Sequence, residues 1–206
     1  MDLLLSSSLR GDSRTMAIQA IYTNLIGLSF LVAVSPLLLL LSLVIAVSSG
    51  GGPVFESVDC AGFRYIPFQR LRFRTLRTDG SGQMTRLGRA ITRLHLANLP
   101  QLINVVRGEM ALVGPRAVRQ DLAYFLTGLM PFYSHRFSVK PGIMGWAQLH
   151  LSAPGLPSDE CLQVEYDLYY IKEGSPWLDG QILLDSLSRG VAGLSVEPGG
   201  PSLSSC

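Results

Sequence analysis

The sequence predicts an α+β, helix-rich protein. An N-terminal membrane helix with a proline at its centre precedes a small domain of short strands and interfacial helices. Three observations carry this. Leu25 to Val47 contains no charged residue and is about long enough to span a bilayer as one helix. Residues 70–76 alternate Arg70, Arg72 and Arg74 with Leu71, Phe73 and Thr75, the two-residue period of a strand with one buried face. Residues 85–96 instead place Leu87, Ile91 and Leu94 at helical spacing.

The chain has 206 residues, enough for one domain with something appended. It is 48% hydrophobic and 16% charged, against roughly 25% charge in an ordinary soluble domain. That composition excludes disorder, collagen-like sequence and an acidic tail protein. Cys60, Cys161 and Cys206 are scattered, odd in number and without metal-ligand spacing. A disulfide framework is not expected, and a reducing compartment is. No prenylation box surrounds Cys206.

The net charge of +2 hides a segregation: residues 60–108 carry nine arginines and one acid, Asp79, while the segments on either side are net acidic. Only two of the 17 basic residues are lysines. Arginine grips phosphate oxygens in pairs, so the block points to phosphates or anionic lipid. Aromatic residues do not interleave with it as a nucleic-acid stacking platform requires, and no nucleic-acid partner is expected.

Taken in order, residues 1–15 read as a polar tail and 16–49 as the membrane helix. At its centre Ser35-Pro36 removes a backbone donor, and a kink or break follows. A hairpin entering and leaving on one face and a single kinked span both fit. Arg10 and Arg14 before the segment, with Arg64 and Arg70 after it, suit the hairpin with both ends cytoplasmic. The run is too long for a secretory signal. Residues 50–55 read as a flexible exit, 64–68 and 70–76 as strands, and 78–83 as a turn-rich loop. A helix over 85–96 follows, then another with Asn98 as its cap and Pro100 in an early position. Residues 110–118 form a short strand running into a Gly-Pro-Arg turn, 121–130 a helix, and 140–146 a Gly-Pro turn. Two final helices precede a flexible tail over 195–206.

Several segments resemble one family in order: SPLLLLLSLVI, GPVF, PFQRLRFRTL, LPQLINVVRGEMALVGPR, VKPGIMGWAQ and YDLYYIKEGSPWLDGQILL. They cover about residues 30–188, and the chain is identified as resembling the bacterial sugar transferases, monotopic polyprenyl-phosphate phosphoglycosyl transferases. The resemblance implies a re-entrant helix broken at Ser35 and Pro36, a sugar transferase domain over 50–194, and placement on the cytoplasmic face of the bacterial inner membrane. It implies Mg²⁺ as cofactor, with a nucleotide sugar, polyprenyl phosphate and anionic membrane lipids as partners. The implied reaction moves sugar-1-phosphate to the lipid through an aspartyl phosphosugar intermediate, opening exopolysaccharide or related glycan assembly.

The resemblance assigns phosphate or substrate contacts to Arg72, Arg74, Arg116, Arg136, Lys140 and Gln148. It offers Asp79, Glu109 and Asp167 as carboxylates for catalysis, with Asp79, Glu109 and Asn98 as candidates for holding the metal. The family's nucleophilic Asp-Glu pair stands immediately before Leu-Pro-Gln-Leu, and here that slot is Ala97-Asn98. Alanine cannot attack phosphorus or bind a metal. Other family positions also differ, at Gln19, Ala20, Thr23, Cys60, Thr92, Ala117 and Met144. His95, beside the gap, is expected to pack or cap rather than to attack. Two functions follow: a phosphoglycosyl transferase with a rearranged site, or a non-catalytic member that binds substrate. The second would partner an active transferase paralogue or downstream glycosyltransferases.

Overall fold

The computed structural model of the chain describes residues 13–48, 52–77, 83–94, 96–130, 132–151 and 157–191. Residues 1–12 of the expected polar tail, the expected tail from 195, most of the 78–83 turn with Asp79, and His95 lie outside the described residues.

Helix α1 (Ser13–Ser48) runs as one element through Ser35-Pro36, where the sequence predicts a break. The reason is local. Pro36 has no N–H to give the Val32 carbonyl, and the Ser35 hydroxyl donates to that carbonyl instead, at 2.8 Å. The acceptor orphaned by proline is satisfied within the same turn. Leu25–Ser48 is long and apolar enough to cross a membrane by length and composition, and little of it is buried against the domain; this goes with membrane association. Both arms of α1 nevertheless touch the domain. A Cβ on Gly27 would come within 2.7 Å of Val105 Cγ1, so glycine permits the approach. Beyond Pro36, Leu38, Leu41 and Ile45 pack with Phe73, Ile91 and Ala97.

Strands β1 (Phe55–Ala61) and β2 (Pro67–Phe73) form an antiparallel hairpin, with Phe55 opposite Phe73 and Glu56 opposite Arg72. Strand β4 (Val118–Arg119) pairs along the other edge of β1. The sequence reading missed β1, whose half-exposed FESVDCA follows a glycine run, and started its first strand inside the hairpin turn. Residues Phe63–Tyr65 are that turn. Arg64 and Tyr65 take φ of 52° and 62°, a left-handed conformation that costs of order 1–3 kcal/mol per non-glycine residue. Tyr65 holds it: its hydroxyl bonds to Thr127 Oγ1 at 3.0 Å, and its ring lies 4.3 Å from that of Phe137.

Helix α2 (Arg86–Arg93) begins at Thr85, whose Oγ1 accepts from the Gly88 N–H at 2.7 Å. Helix α3 (Gln101–Val106) covers the open edge of β2. Its fully buried Asn104 donates to the Gln69 carbonyl at 2.8 Å and accepts from the Leu71 N–H at 3.0 Å. One amide thus supplies the pairing that a neighbouring strand would provide.

Strands β3 (Ala111–Val113) and β5 (Gly142–Met144) pair in parallel. A Cβ on Gly142 would collide with the Gly114 backbone, so the Gly-Pro-Arg turn lies directly on β5. Helices α4 (Gln120–Leu129), α5 (Trp146–His150), α6 (Pro157–Glu173) and α7 (Pro176–Val191) complete the described residues. Tyr170 of α6 donates to Asp179 Oδ1 of α7 at 2.8 Å, both residues being buried. The α+β, helix-rich class therefore holds, with an apolar N-terminal helix and a small strand-containing domain.

Candidate functional site

The slot where a nucleophile is implied falls in the short turn Leu96–Asn98, which packs on β2 and α2. Ala97 is 8% exposed and clusters with Ile45 of the membrane helix, Phe73 and Ile91. Its methyl extends an apolar contact. Asn98 is not the cap of α3; its Oδ1 accepts from Gln101 Nε2 at 3.0 Å, because the chain first turns through residues 96–98 and Pro100 stands at the helix start.

The arginines of β2 diverge in their engagements. Arg72 reaches across the hairpin to Glu56, with Nη2 at 3.1 Å and Nε at 3.2 Å from Oε2, and both side chains remain partly open. Arg74, just past the strand, folds back on its own chain, its Nε donating to the Leu76 carbonyl at 3.2 Å. Arg70 and Arg72 are half-buried on the strand.

The described carboxylate candidates are engaged. Glu109 Oε2 accepts from Asn104 Nδ2 at 2.6 Å, so the residue after Gly108 is tied to the amide that fastens β2. Asp167 lies inside the domain: its Oδ2 is 2.7 Å from Arg136 Nη2, with the two side chains 1% and 2% exposed. The approach is close but not in line with an N–H, so it acts as a charge contact. Burial pushes the Asp167 carboxyl up to about 6, outweighing Arg136, which lowers it. Burial also raises the Tyr133 phenol, with Arg136 opposing.

Arg136 is thus an interior residue rather than a surface phosphate contact, because the 133–138 turn points it at Asp167. Its Nη1 donates to the Tyr133 hydroxyl at 2.9 Å, its guanidinium lies 4.9 Å from the Tyr133 ring centre, and its Nη2 reaches the Arg116 carbonyl at 3.4 Å. Arg116 itself is half-buried and bridges to Gly142 through its backbone. The Lys140 ammonium reaches Gly108, where a Cβ would stand 3.6 Å from Nζ and where φ is +77°; Lys140 and Glu109 thus sit beside the same glycine. Gln148 is exposed on α5.

A magnesium ion wants carboxylate oxygens in octahedral arrangement. Among the described residues no three of His, Cys, Asp and Glu converge as a metal site. Glu109 is held by Asn104 and Asn98 by Gln101. Magnesium usually keeps several waters and is held through one or two carboxylates with substrate phosphates; Asp79, another candidate for that role, lies outside the described residues.

Sequence reasoning missed Asn104, Tyr133 and Glu56. A lone Asn inside the apolar run LPQLINVV was the available signal, since a buried amide must find partners. Nothing local marked Glu56, whose partner is set by hairpin register.

An apolar helix packed on an arginine-bearing hairpin, beside a clamped Gly-Pro-Arg turn, defines a membrane-associated α+β domain. The profile of the bacterial sugar transferases matches residues 14–193, and the chain belongs to that family. It is 39% identical over 176 residues to an undecaprenyl-phosphate glucose phosphotransferase of Komagataeibacter xylinus, covering 77% of this chain and 33% of that protein. It is 34% identical over 164 residues to a UDP-N-acetylgalactosamine-undecaprenyl-phosphate N-acetylgalactosaminephosphotransferase of Aeromonas hydrophila, covering 74% and 38%. It is 31% identical over 184 residues to the exopolysaccharide production protein PSS of Rhizobium leguminosarum bv. phaseoli, covering 80% and 92%. The chain thus spans about a third of the length of the first two relatives and nearly all of the third.

Proposed function

We propose that the chain is a membrane-surface domain for sugar-1-phosphate transfer, with a UDP-sugar as donor and undecaprenyl phosphate as acceptor, at the cytoplasmic face of a bacterial inner membrane. The observation that carries this reading is a junction: the membrane helix, the arginine strand β2 and the 96–98 turn meet at Ile45, Phe73 and Ala97. A lipid phosphate held beside α1 lies next to the strand bearing Arg70 and Arg72. In this reading α1 bends at Pro36 while staying helical, so that it enters and leaves the bilayer on one face; contact of both its arms with the domain and the proline between them support that geometry.

Ala97 provides no carboxylate for a covalent intermediate. The acceptor's phosphate oxygen therefore attacks the sugar-linked phosphorus directly. A new P–O bond forms as the bond to UMP breaks, giving undecaprenyl diphosphate-sugar and UMP. Arginines grip the phosphate oxygens in pairs and stabilise charge as it moves to the leaving group. A second reading, a non-catalytic member that binds substrate or partners an active transferase, is favoured by the apolar packing of Ala97 and the engagement of Asn98 with Gln101.

The test incubates the full chain in lipid nanodiscs with labelled UDP-glucose or UDP-N-acetylgalactosamine and Mg²⁺, with and without undecaprenyl phosphate. UMP release only with acceptor is the expected result. Release without acceptor overturns direct displacement in favour of a carboxylate nucleophile. No release in either case, with activity gained by Ala97→Asp plus Asn98→Glu, establishes the non-catalytic reading.

A further inference from the structure

We propose that Arg136 and Asp167 are positioning residues that hold the Gly114–Arg116 turn from inside the domain, so that Arg116 is presented to a substrate phosphate in one fixed arrangement. The inference rests on the reading above in taking Arg116 as a phosphate contact.

The turn is held from two sides. On one, β5 fixes its backbone: Gly142 N donates to the Pro115 carbonyl and Gly114 N to the Met144 carbonyl, each at 2.9 Å. On the other, the Arg136 guanidinium reaches the Arg116 carbonyl at 3.4 Å. A small cleft, too narrow for more than about one water, lies among Pro115, Arg116, Arg136, Phe137, Val139 and Pro141. The turn has little room to shift unless Arg136 moves.

Arg136 in turn is set by three contacts: Asp167 on its charge, the Tyr133 hydroxyl on Nη1, and the Tyr133 ring against its plane. With its side chain 2% exposed, Arg136 does not touch substrate. A buried ion pair is rarely a net source of stability compared with apolar packing. What a planar fork adds here is direction, since one guanidinium addresses α6, its own turn and the Gly-Pro-Arg turn together. The charges facing Asp167 are Arg136 from the 133–138 turn and Glu160 from its own helix, with the Tyr133 phenol alongside.

The test uses the full chain in nanodiscs and reads two quantities: hydrogen exchange of the 113–118 peptide, corrected for intrinsic rate, and affinity for UDP-glucose by calorimetry. UDP-glucose is chosen because its diphosphate does not titrate near pH 6. Asp167→Asn should raise exchange of 113–118 by tenfold or more while β2 and α2 stay protected, and should weaken UDP-glucose binding about tenfold. Arg136→Lys should give the same pattern, since an ammonium cannot reach all three partners. Lowering the pH from 7.5 to 5 should loosen 113–118 in the wild type and change nothing further in Asp167→Asn. Wild-type exchange at 113–118 in the folded variants overturns the proposal. So does a rise in exchange spread evenly over all peptides, which would mark a merely structural role. If Asp167→Asn does not fold, Arg136→Lys and the wild-type pH comparison decide by the same criterion. Absence of UDP-glucose binding in the wild type counts against the proposed function alone, because the exchange measurement stands without ligand.

Discussion

The two ends of the site treat charge in opposite ways. At the membrane end, where the family places two acids, Ala97 and Asn98 stand, and Ala97 joins an apolar cluster with Ile45, Phe73 and Ile91. At the inner end a complete charge pair, Arg136 and Asp167, survives with side chains 2% and 1% exposed. A carboxylate bordering aliphatic walls can become a methyl without leaving anything unpaired. A member of a buried pair cannot, because its partner would remain charged in a low-dielectric interior. A change at position 97 therefore strands no charge, whereas a change at 136 or 167 does.

The harshest test of this contrast removes one member of the inner pair. Arg136→Met should destabilise by about 3–5 kcal/mol at pH 8, measured by denaturant unfolding in mild detergent, and by much less at pH 5. The pH sense follows from Asp167. Its carboxyl is pushed up to about 6 from 3.8 by burial, so the folded state binds the proton more tightly than the unfolded one. Stability therefore falls as pH rises from about 4 to 6, by up to about 3 kcal/mol, and Asp167→Asn should remove that slope. Equal slopes in wild type and Asp167→Asn would show that the pair is not the charge centre described.

A smaller loss is expected where the two ends are joined. Asn104 fastens β2 through Gln69 and Leu71 and also holds Glu109. Asn104→Leu leaves those groups without their partner and should cost roughly 2–3 kcal/mol. Exchange of β2 amides should rise before that of α6. If α6 loosens first, Asn104 is not what anchors the strand edge.

At the membrane end, Ala97→Asp should cost about 1–2 kcal/mol at neutral pH, because a carboxylate enters an apolar cluster, and less at pH 4, where burial favours its protonated form. A neutral or stabilising Ala97→Asp would mean that the cluster accommodates a carboxylate.

Legibility in the sequence tracked the range of each interaction. The membrane helix, the two last helices and the Gly-Pro-Arg turn are written in local periodicity and turn chemistry, and they appear where expected. Strand β1 was not legible, since its pairing with β2 is a matter of register and its glycine-rich approach reads as loop. The continuity of α1 was not legible either: a proline mid-helix reads as a break until the Ser35 hydroxyl is seen to serve the Val32 carbonyl. Site residues divided similarly. Motif position nominated Arg136 and Asp167, but only the fold shows that they face each other inside the domain. Asp79 and His95 lie outside the described residues.

The smallest expected effect probes whether the membrane end still works as an anionic-phosphate surface. Glu56 neutralises Arg72 across the hairpin, with both side chains partly exposed. Such a pair contributes only about 0.2–1 kcal/mol, so Glu56→Gln should shift unfolding by less than 1 kcal/mol. Its effect on binding should be larger than its effect on folding, since Arg72 loses a competitor for phosphate oxygens. UDP-glucose affinity should rise about two- to fivefold at low salt, on the order of 1 kcal/mol or less, and the gain should fade as ionic strength rises. Arg72→Gln alone should move affinity the opposite way. If Glu56→Gln leaves affinity unchanged while Arg72→Gln also does nothing, the hairpin arginines do not meet the nucleotide, and phosphate handling lies wholly with the inner turn around Arg116.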